Sequence, residues 1–315
     1  MSLRRLFLAP LAFVSIVYAP AACAPARHAV AATTDAAPLP SSCHDCPVWN
    51  APQAPFRVYG NTYWVGPHGL GSILVTSPQG HVLIDGALPE SAGEIMARIR
   101  SLGFRVEDVK LILNSHVHYD HAGGIGEIQR VSGATVAASP RSAPALERGA
   151  VGPDDPQYAL RIPVIPVKNL RVIRDGETVH VGSLALTAHF TPGHTPGGTT
   201  WTWISCEGDR CLHMVYADSQ TPVSADDFYF THNTTYPTAI ADFRHSEAVL
   251  DSLPCDILMT THPGASNFWA RVAARDSGTA NALVDPEACK RLAAASRASL
   301  SQRIAREDSA RTLGH

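Results

Sequence analysis

Residues 114–124 read "NSHVHYDHAGG", and they place His116, His118, Asp120 and His121 within six consecutive positions. The chain carries 15 histidines in 315 residues. At that frequency, such a pattern arises by chance on the order of a few times per thousand chains of this length. Histidine and aspartate are costly to bury unless they are paired or bound. A solvated polar loop therefore explains the cluster less well than a metal site does. Upstream, "VKLILNS" reads as a short apolar strand, so the cluster follows a strand's C-terminal end. In an extended loop, residues two apart point the same way. His116 and His118 can then meet one ion, while Asp120 and His121 face elsewhere and suit a second.

Each ion still lacks a ligand. "TPGHTPGG" offers His194, held between Pro192 and Pro196 in a stiff turn past a strand. "MTTHPG" offers His262, again at a strand end and before a Pro-Gly turn. Five histidines and one aspartate make two three-ligand sets. Imidazole with carboxylate suits zinc. Three protein ligands leave a coordination position open, which is the catalytic rather than the structural arrangement. Two zinc ions per chain are the expected cofactor. Two ions sharing a water would lower its pKa toward neutrality and supply hydroxide as a nucleophile. His68, His180, His189, His213 and His232 are expected at the surface or behind the site. A serine nucleophile finds no support: Lys110, Lys168 and Lys290 have no serine three residues before them, and no G-x-S-x-G elbow occurs. No glycine-rich dinucleotide fingerprint follows a strand.

The start of the chain has a different character. "MSLRR" is a short basic run, "LFLAPLAFVSIVYA" is apolar, and small-residue stretches follow. This is the grammar of a secretory signal peptide over residues 1–22, with cleavage between 21 and 32. Cys23 follows two alanines, as a lipidated cysteine would, but Pro20 stands where an aliphatic residue is normally wanted. Residues 23–50 are expected to form a flexible N-terminal segment, and residues 51–309 a single domain. The net charge of −3 and the scarcity of lysine give no reason to expect a nucleic-acid or anionic-membrane partner. No later apolar run is long enough to span a bilayer. A monomer with a small-molecule substrate is expected.

Six cysteines remain besides Cys23, and an even count in an exported chain suggests disulfides. "CEGDRC" reads as a hairpin tip closed by Cys206 and Cys211. Cys255 and Cys289 would tie the last strand to the start of the last helix. Closing that loop contributes up to about 4 kcal/mol in the chain-entropy model. Cys43 and Cys46 form a lone C-x-x-C, expected as a local disulfide.

Strands read from "FRVYGNTYWVG", "SILVTSPQGHVLIDG" and "VKLILNS", with "PESAGEIMARIRSLG" a helix ending on Gly103. "GIGEIQRVSG" and "PRSAPALERG" read as helices around the strand "ATVAAS". "GPDDPQYALRIP" has no periodicity and reads as a surface loop. Strands resume through "LRVIRDGETVHVGSLALTAHF", the hairpin "TTWTWISC" and "LHMVYADS", and the buried "CDILMTTH". "YPTAIADFRHSEAVLDSLP" and "DPEACKRLAAASRASLSQRIARE" are the closing helices. The order of strands then helices, twice over, predicts an α/β sandwich of two facing sheets with helices outside.

At these motifs the chain resembles the metallo-β-lactamase superfamily, whose signature is HxHxDH, a histidine in "TPGHTPG" and a later histidine. "NSHVHYDHAGG", "HFTPGHTPGG", "YADS" and "PCDILMTTHPGAS" are most similar to subclass B3, and the Cys255 to Cys289 pairing matches it too. The resemblance covers nearly the whole mature chain. It implies a four-layer αβ/βα sandwich in a single domain, with the site at one edge. It implies that His116, His118 and His194 hold the first zinc, and Asp120, His121 and His262 the second. The implied activity is hydrolysis of β-lactam antibiotics (penicillins, cephalosporins, carbapenems) by zinc-bound hydroxide, with Asp120 orienting the nucleophile. Ser219 and Thr221 are expected to face the substrate, and Asp85 to buttress the site from behind. Lactonases and glyoxalase-type thioesterases share the scaffold but usually carry a bridging aspartate near the position of Asp218; in the B3 reading Asp218 is not a ligand. Export to the periplasm or medium suits a lactamase, because its antibiotic targets lie outside the cytoplasm.

Overall fold

Short apolar runs separated by turns assemble two mixed sheets, each covered by helices on its outer face. The protein is described here by a computed structural model over residues 43–313. The first sheet holds β1 (Phe56–Tyr59), β2 (Thr62–Trp64), β3 (Ile73–Ser77), β4 (Gly80–Ile84), β5 (Val109–Leu113), β6 (Thr135–Ala138) and β7 (Leu170–Val172), in that spatial order. Its first four strands pair antiparallel, and β4 to β7 run parallel. The second sheet holds β8 (Thr178–Val181), β9 (Leu184–Phe190), β10 (Thr199–Glu207), β11 (Arg210–Ala217) and β12 (Ile257–Thr260), ordered β12-β11-β10-β9-β8. Only β12 joins that sheet in parallel, beside β11.

Side chains alternate across a strand, and in β3 this divides two cores. Ile73 and Val75 point between the sheets, where they meet Trp64, Trp201, Tyr216, Met259 and Phe268. Leu74 points outward to Leu83, Ile95, Ile99, Ile112, Ile125 and Ile128. Every residue of β3 and β4 is buried, as strands covered on both faces require. The helices are α1 (Cys46–Trp49), α2 (Ser91–Ser101), α3 (Tyr119–Ala122), α4 (Ile125–Ser132), α5 (Ala143–Arg148), α6 (Ala239–Ser252), α7 (Phe268–Asp276) and α8 (Ala288–Thr312). Helices α2 and α4 cover the first sheet. Leu250 of α6 and Leu292 and Ala293 of α8 cover Val215 and Leu258 of the second. The result is the expected four-layer α/β sandwich.

Two readings of the sequence are corrected, and one helix is added. Residues 43–50, expected to be flexible, carry the Cys43–Cys46 disulfide and α1, and Cys46 is buried in the outer core. The rest of that segment, the signal-peptide boundaries and Cys23 lie outside the described residues. Helix α7 went unread, because its nine residues bury only Phe268 and Val272, too few to give a periodic pattern. The histidine stretch is extended only to His118, after which the chain turns into α3. The disulfides Cys206–Cys211 and Cys255–Cys289 form as expected. Among the described residues, no helix is long and apolar enough to cross a membrane.

Candidate metal centre

The ligands come from loops at strand ends. The stretch after β5 carries His116 and His118 ahead of α3, with His118 extended at the N-cap of that helix. In a strand, adjacent Asp120 and His121 would point to opposite faces. In α3 they lie only about 100° apart, so both reach one point. His194 sits in the turn between β9 and β10. That turn needs Gly193 at φ +135°, since a Cβ there would meet the Phe243 ring at 2.7 Å. His262 follows β12 and leads into the 3₁₀ turn Pro263–Ser266.

These six side chains gather into two triads, His116/His118/His194 and Asp120/His121/His262, each with its donor atoms within 4.8 Å of one another. In the first, His118 Nδ1 and His194 Nε2 are 3.1 Å apart, and His116 Nε2 is buried with no partner. In the second, Asp120 Oδ2 lies 3.1 Å from His121 Nε2 and 3.2 Å from His262 Nε2, which are themselves 3.2 Å apart. Such convergence of lone-pair donors, one of them orphaned and buried, is what a cation requires.

The far ring nitrogens of the first triad are each fixed by an oxygen. Asp218 Oδ1 lies 2.7 Å from His116 Nδ1, and Asp155 Oδ1 lies 3.0 Å from His118 Nε2. The Thr221 carbonyl lies 2.7 Å from His194 Nδ1. Each contact holds the N–H on the far side and aims the other nitrogen's lone pair at the ion position. Burial and neighbouring imidazoles push His116 well down, and burial with His118 pushes His194 down to about 3. Both rings are thus neutral, the form that ligates. Burial opposes ionisation of Asp120, but His121 and His262 outweigh it and hold its carboxyl well below the usual range. For His118 burial pushes down, yet the Asp155 charge and hydrogen bond prevail and raise it.

Asp218 stands behind His116 and takes no place in either triad. Asp85 is fully buried and accepts hydrogen bonds from Ser115 N–H (2.8 Å), Ser115 Oγ (2.6 Å) and Tyr216 O–H (2.9 Å). Burial pushes its carboxyl up to about 7. It anchors the residue before His116 and touches no ligand imidazole. Asp155 escaped the sequence reading because it lies in "GPDDPQYALRIP", where only the flanking prolines hint at a rigid loop. None of His68, His180, His189, His213 and His232 joins a triad.

A cavity of about 490 Å³ opens over the triads. His118, Asp120, His194, His262, Ser219 and Thr221 line its base, and Trp49, Tyr119, Leu160, Ile162 and Val223 its walls. Among the described residues, no Lys or Arg lines it. The Ser219 hydroxyl is 2.8 Å from that of Thr261. Of Thr221, the backbone carbonyl does the holding of His194, while its hydroxyl is 3.5 Å away.

Residues 67–213 match the metallo-beta-lactamase superfamily. The solved Rm3 metallo-beta-lactamase is 58% identical, with 84% of this chain and 99% of that chain aligned at a TM-score of 0.83. MEM-A1, a subclass B3 metallo-beta-lactamase from a soil metagenome library, is 48% identical over 83% and 99% of the two chains, at a TM-score of 0.81. Curated relatives are more distant. The N-acyl homoserine lactonase of Bacillus cereus is 27% identical over 147 residues, 39% of this chain and 54% of the lactonase. The hydroxyacylglutathione hydrolase of Methylobacterium nodulans is 33% identical over 120 residues, 38% of this chain and 37% of that hydrolase. The chain thus spans about half or less of the curated relatives it matches. With both triads assembled and near full-length likeness to solved B3 structures, the chain belongs to the metallo-β-lactamase superfamily and is most similar to its subclass B3 members.

Proposed function

We propose that this protein hydrolyses the lactam amide of β-lactam antibiotics, acting outside the cytoplasm as a monomer. The observation that carries this reading is the place of Asp218. It braces His116 from behind, 2.7 Å from Nδ1, and joins neither triad, whereas a bridging aspartate would have to stand between the two ion positions. That favours a B3-type lactamase over a lactonase or a glyoxalase-type thioesterase. Three disulfides and a signal-like start support export to the periplasm or medium.

The first zinc would be held by His116, His118 and His194, and the second by Asp120, His121 and His262. Zinc ions bound there supply Lewis acidity, lowering the pKa of water and polarising a carbonyl. The chain supplies the geometry. Asp120, ionised and at the cavity floor, accepts a hydrogen bond from the attacking water and orients it. Ser219 and Thr221 offer neutral hydroxyl donors to the substrate carboxylate, a task that falls to them because no Lys or Arg among the described residues lines the cavity. Leu160, Ile162, Val223 and Trp49 give apolar walls to the substituents on the lactam.

The test is hydrolysis of nitrocefin and imipenem by the purified protein, with and without a chelator, beside an acyl-homoserine lactone and a hydroxyacylglutathione. Lactam turnover that disappears on chelation and returns with zinc is the expected result. Full lactam turnover in metal-free protein, or turnover of the lactone or thioester alone, overturns the reading.

A further inference from the structure

We propose that the Cys43–Cys46 disulfide is a positioning element of the active site: it holds α1, and with it Trp49, as one wall of the substrate cavity. This rests on the lactamase reading above. The Tyr119 hydroxyl donates to Cys43 Sγ at 3.1 Å and lies 4.0 Å from Cys46 Sγ. Tyr119 stands between the ligands His118 and Asp120. The Trp49 ring lies 5.4 Å from the ring of the ligand His262 and 6.3 Å from that of Tyr119. Cys43, Trp49 and Tyr119 all face the cavity.

The wall cannot hold itself. Helix α1 has four residues and no side-chain cap at its start, and so short a helix has no stability of its own. Its downstream end is pinned. The Gly69 N–H donates to the Trp49 carbonyl at 3.0 Å, and the Ser91 hydroxyl to Asn50 Oδ1 at 2.6 Å. Its upstream end is tied through the disulfide and the Tyr119 contact. A sequence separation of 3, against 34 for Cys255–Cys289, removes little entropy from the unfolded chain. The bridge therefore acts on the local position of the wall and adds little to global stability.

The test compares Cys43→Ser/Cys46→Ser with Cys206→Ser/Cys211→Ser, a double variant at the distant hairpin tip. The first should raise KM for nitrocefin about threefold to tenfold, because the substrate must then order the wall. Its kcat should stay within about twofold and its zinc content at wild-type level. The hairpin variant should keep the wild-type KM. Tyr119→Phe, which keeps the ring and loses the hydroxyl, should raise KM by less than the double cysteine variant does. Hydrogen exchange gives a readout free of turnover. The Trp49 and Asn50 amides, each bonded at 2.8 Å to the Asp45 and Cys46 carbonyls, should exchange faster in Cys43→Ser/Cys46→Ser. An unchanged KM with unchanged exchange overturns the proposal. So does a fall in kcat with zinc loss at constant KM, which would make the bridge a support of the metal centre. A wild-type protein inactive on lactams refutes the proposed function, and the exchange result still decides the wall.

Discussion

Asp218→Asn isolates the charge behind the first triad. Asp218 and His116 are wholly buried, with 2.7 Å between Oδ1 and Nδ1. Burial, with the nearby Asp85, pushes the Asp218 carboxyl well up, and the His116 N–H, made more acidic by a bound zinc, draws it back toward the carboxylate. Asparagine keeps the shape and an accepting oxygen, so the hydrogen bond survives while that charge is lost. A charge-assisted hydrogen bond contributes roughly 1.5–3 kcal/mol where a neutral one contributes about 0.5–1.5. The difference of about 1–1.5 kcal/mol corresponds to a drop of about tenfold in affinity for the first zinc, at the lower end of the range for residues that orient metal ligands. Competition with a chromophoric chelator measures this directly, and two zinc ions should still bind at saturation. An affinity equal to wild type would refute the argument that Asp218 tunes His116. Loss of a whole zinc equivalent at saturating metal would refute it from the other side, because only a direct ligand would be missed so completely.

His262→Ala should leave one zinc bound and cut turnover, with the fold intact, since its ring is at the cavity and 35% exposed; metal analysis with circular dichroism checks it, and unchanged zinc content counts against the second triad. Ser219→Ala should raise KM or slow turnover by about tenfold or less, matching one lost hydrogen bond of roughly 1 kcal/mol, with zinc content held; a wild-type rate and KM would remove Ser219 from substrate binding. Clavulanate should inhibit poorly in nitrocefin assays, as no serine is available to acylate; time-dependent inactivation contradicts the mechanism. Zinc affinity should fall with pH first at His118. Asp155 raises the proton affinity of that ring against the effect of burial, so below its pKa a proton competes with the metal. In Asp155→Asn the onset should move to lower pH, and a chelator titration across pH that shows the same onset in both proteins refutes this.

How far the sequence could be read follows from where each signal lives. The six ligands were legible because metal chemistry restricts both residue type and spacing within one short loop, and because His194 and His262 sit in turns stiffened by proline. The two sheets were legible for a similar reason: β3 and β4 carry the apolar runs Ile73–Val75 and Val82–Ile84 on either side of a Pro-Gln-Gly turn. The groups that hold those ligands lie beyond such local signals. His118 and Asp155 are 37 residues apart, and His116 and Asp218 are 102 apart. No spacing rule links them until the sheets have packed. Trp49 reaches His262 across an even longer interval, from a segment whose composition suggested flexibility. Asp85 shows a partial case: its place at a strand end suggests a buttress behind the site, but nothing local announces its partners, Ser115 and Tyr216. The brace on His194 is the limiting case. It is the main-chain carbonyl of Thr221, an atom every residue carries, so no residue type could have announced it. Replacing the Thr221 side chain should leave that brace standing, and only a change in the backbone path after β11 would remove it.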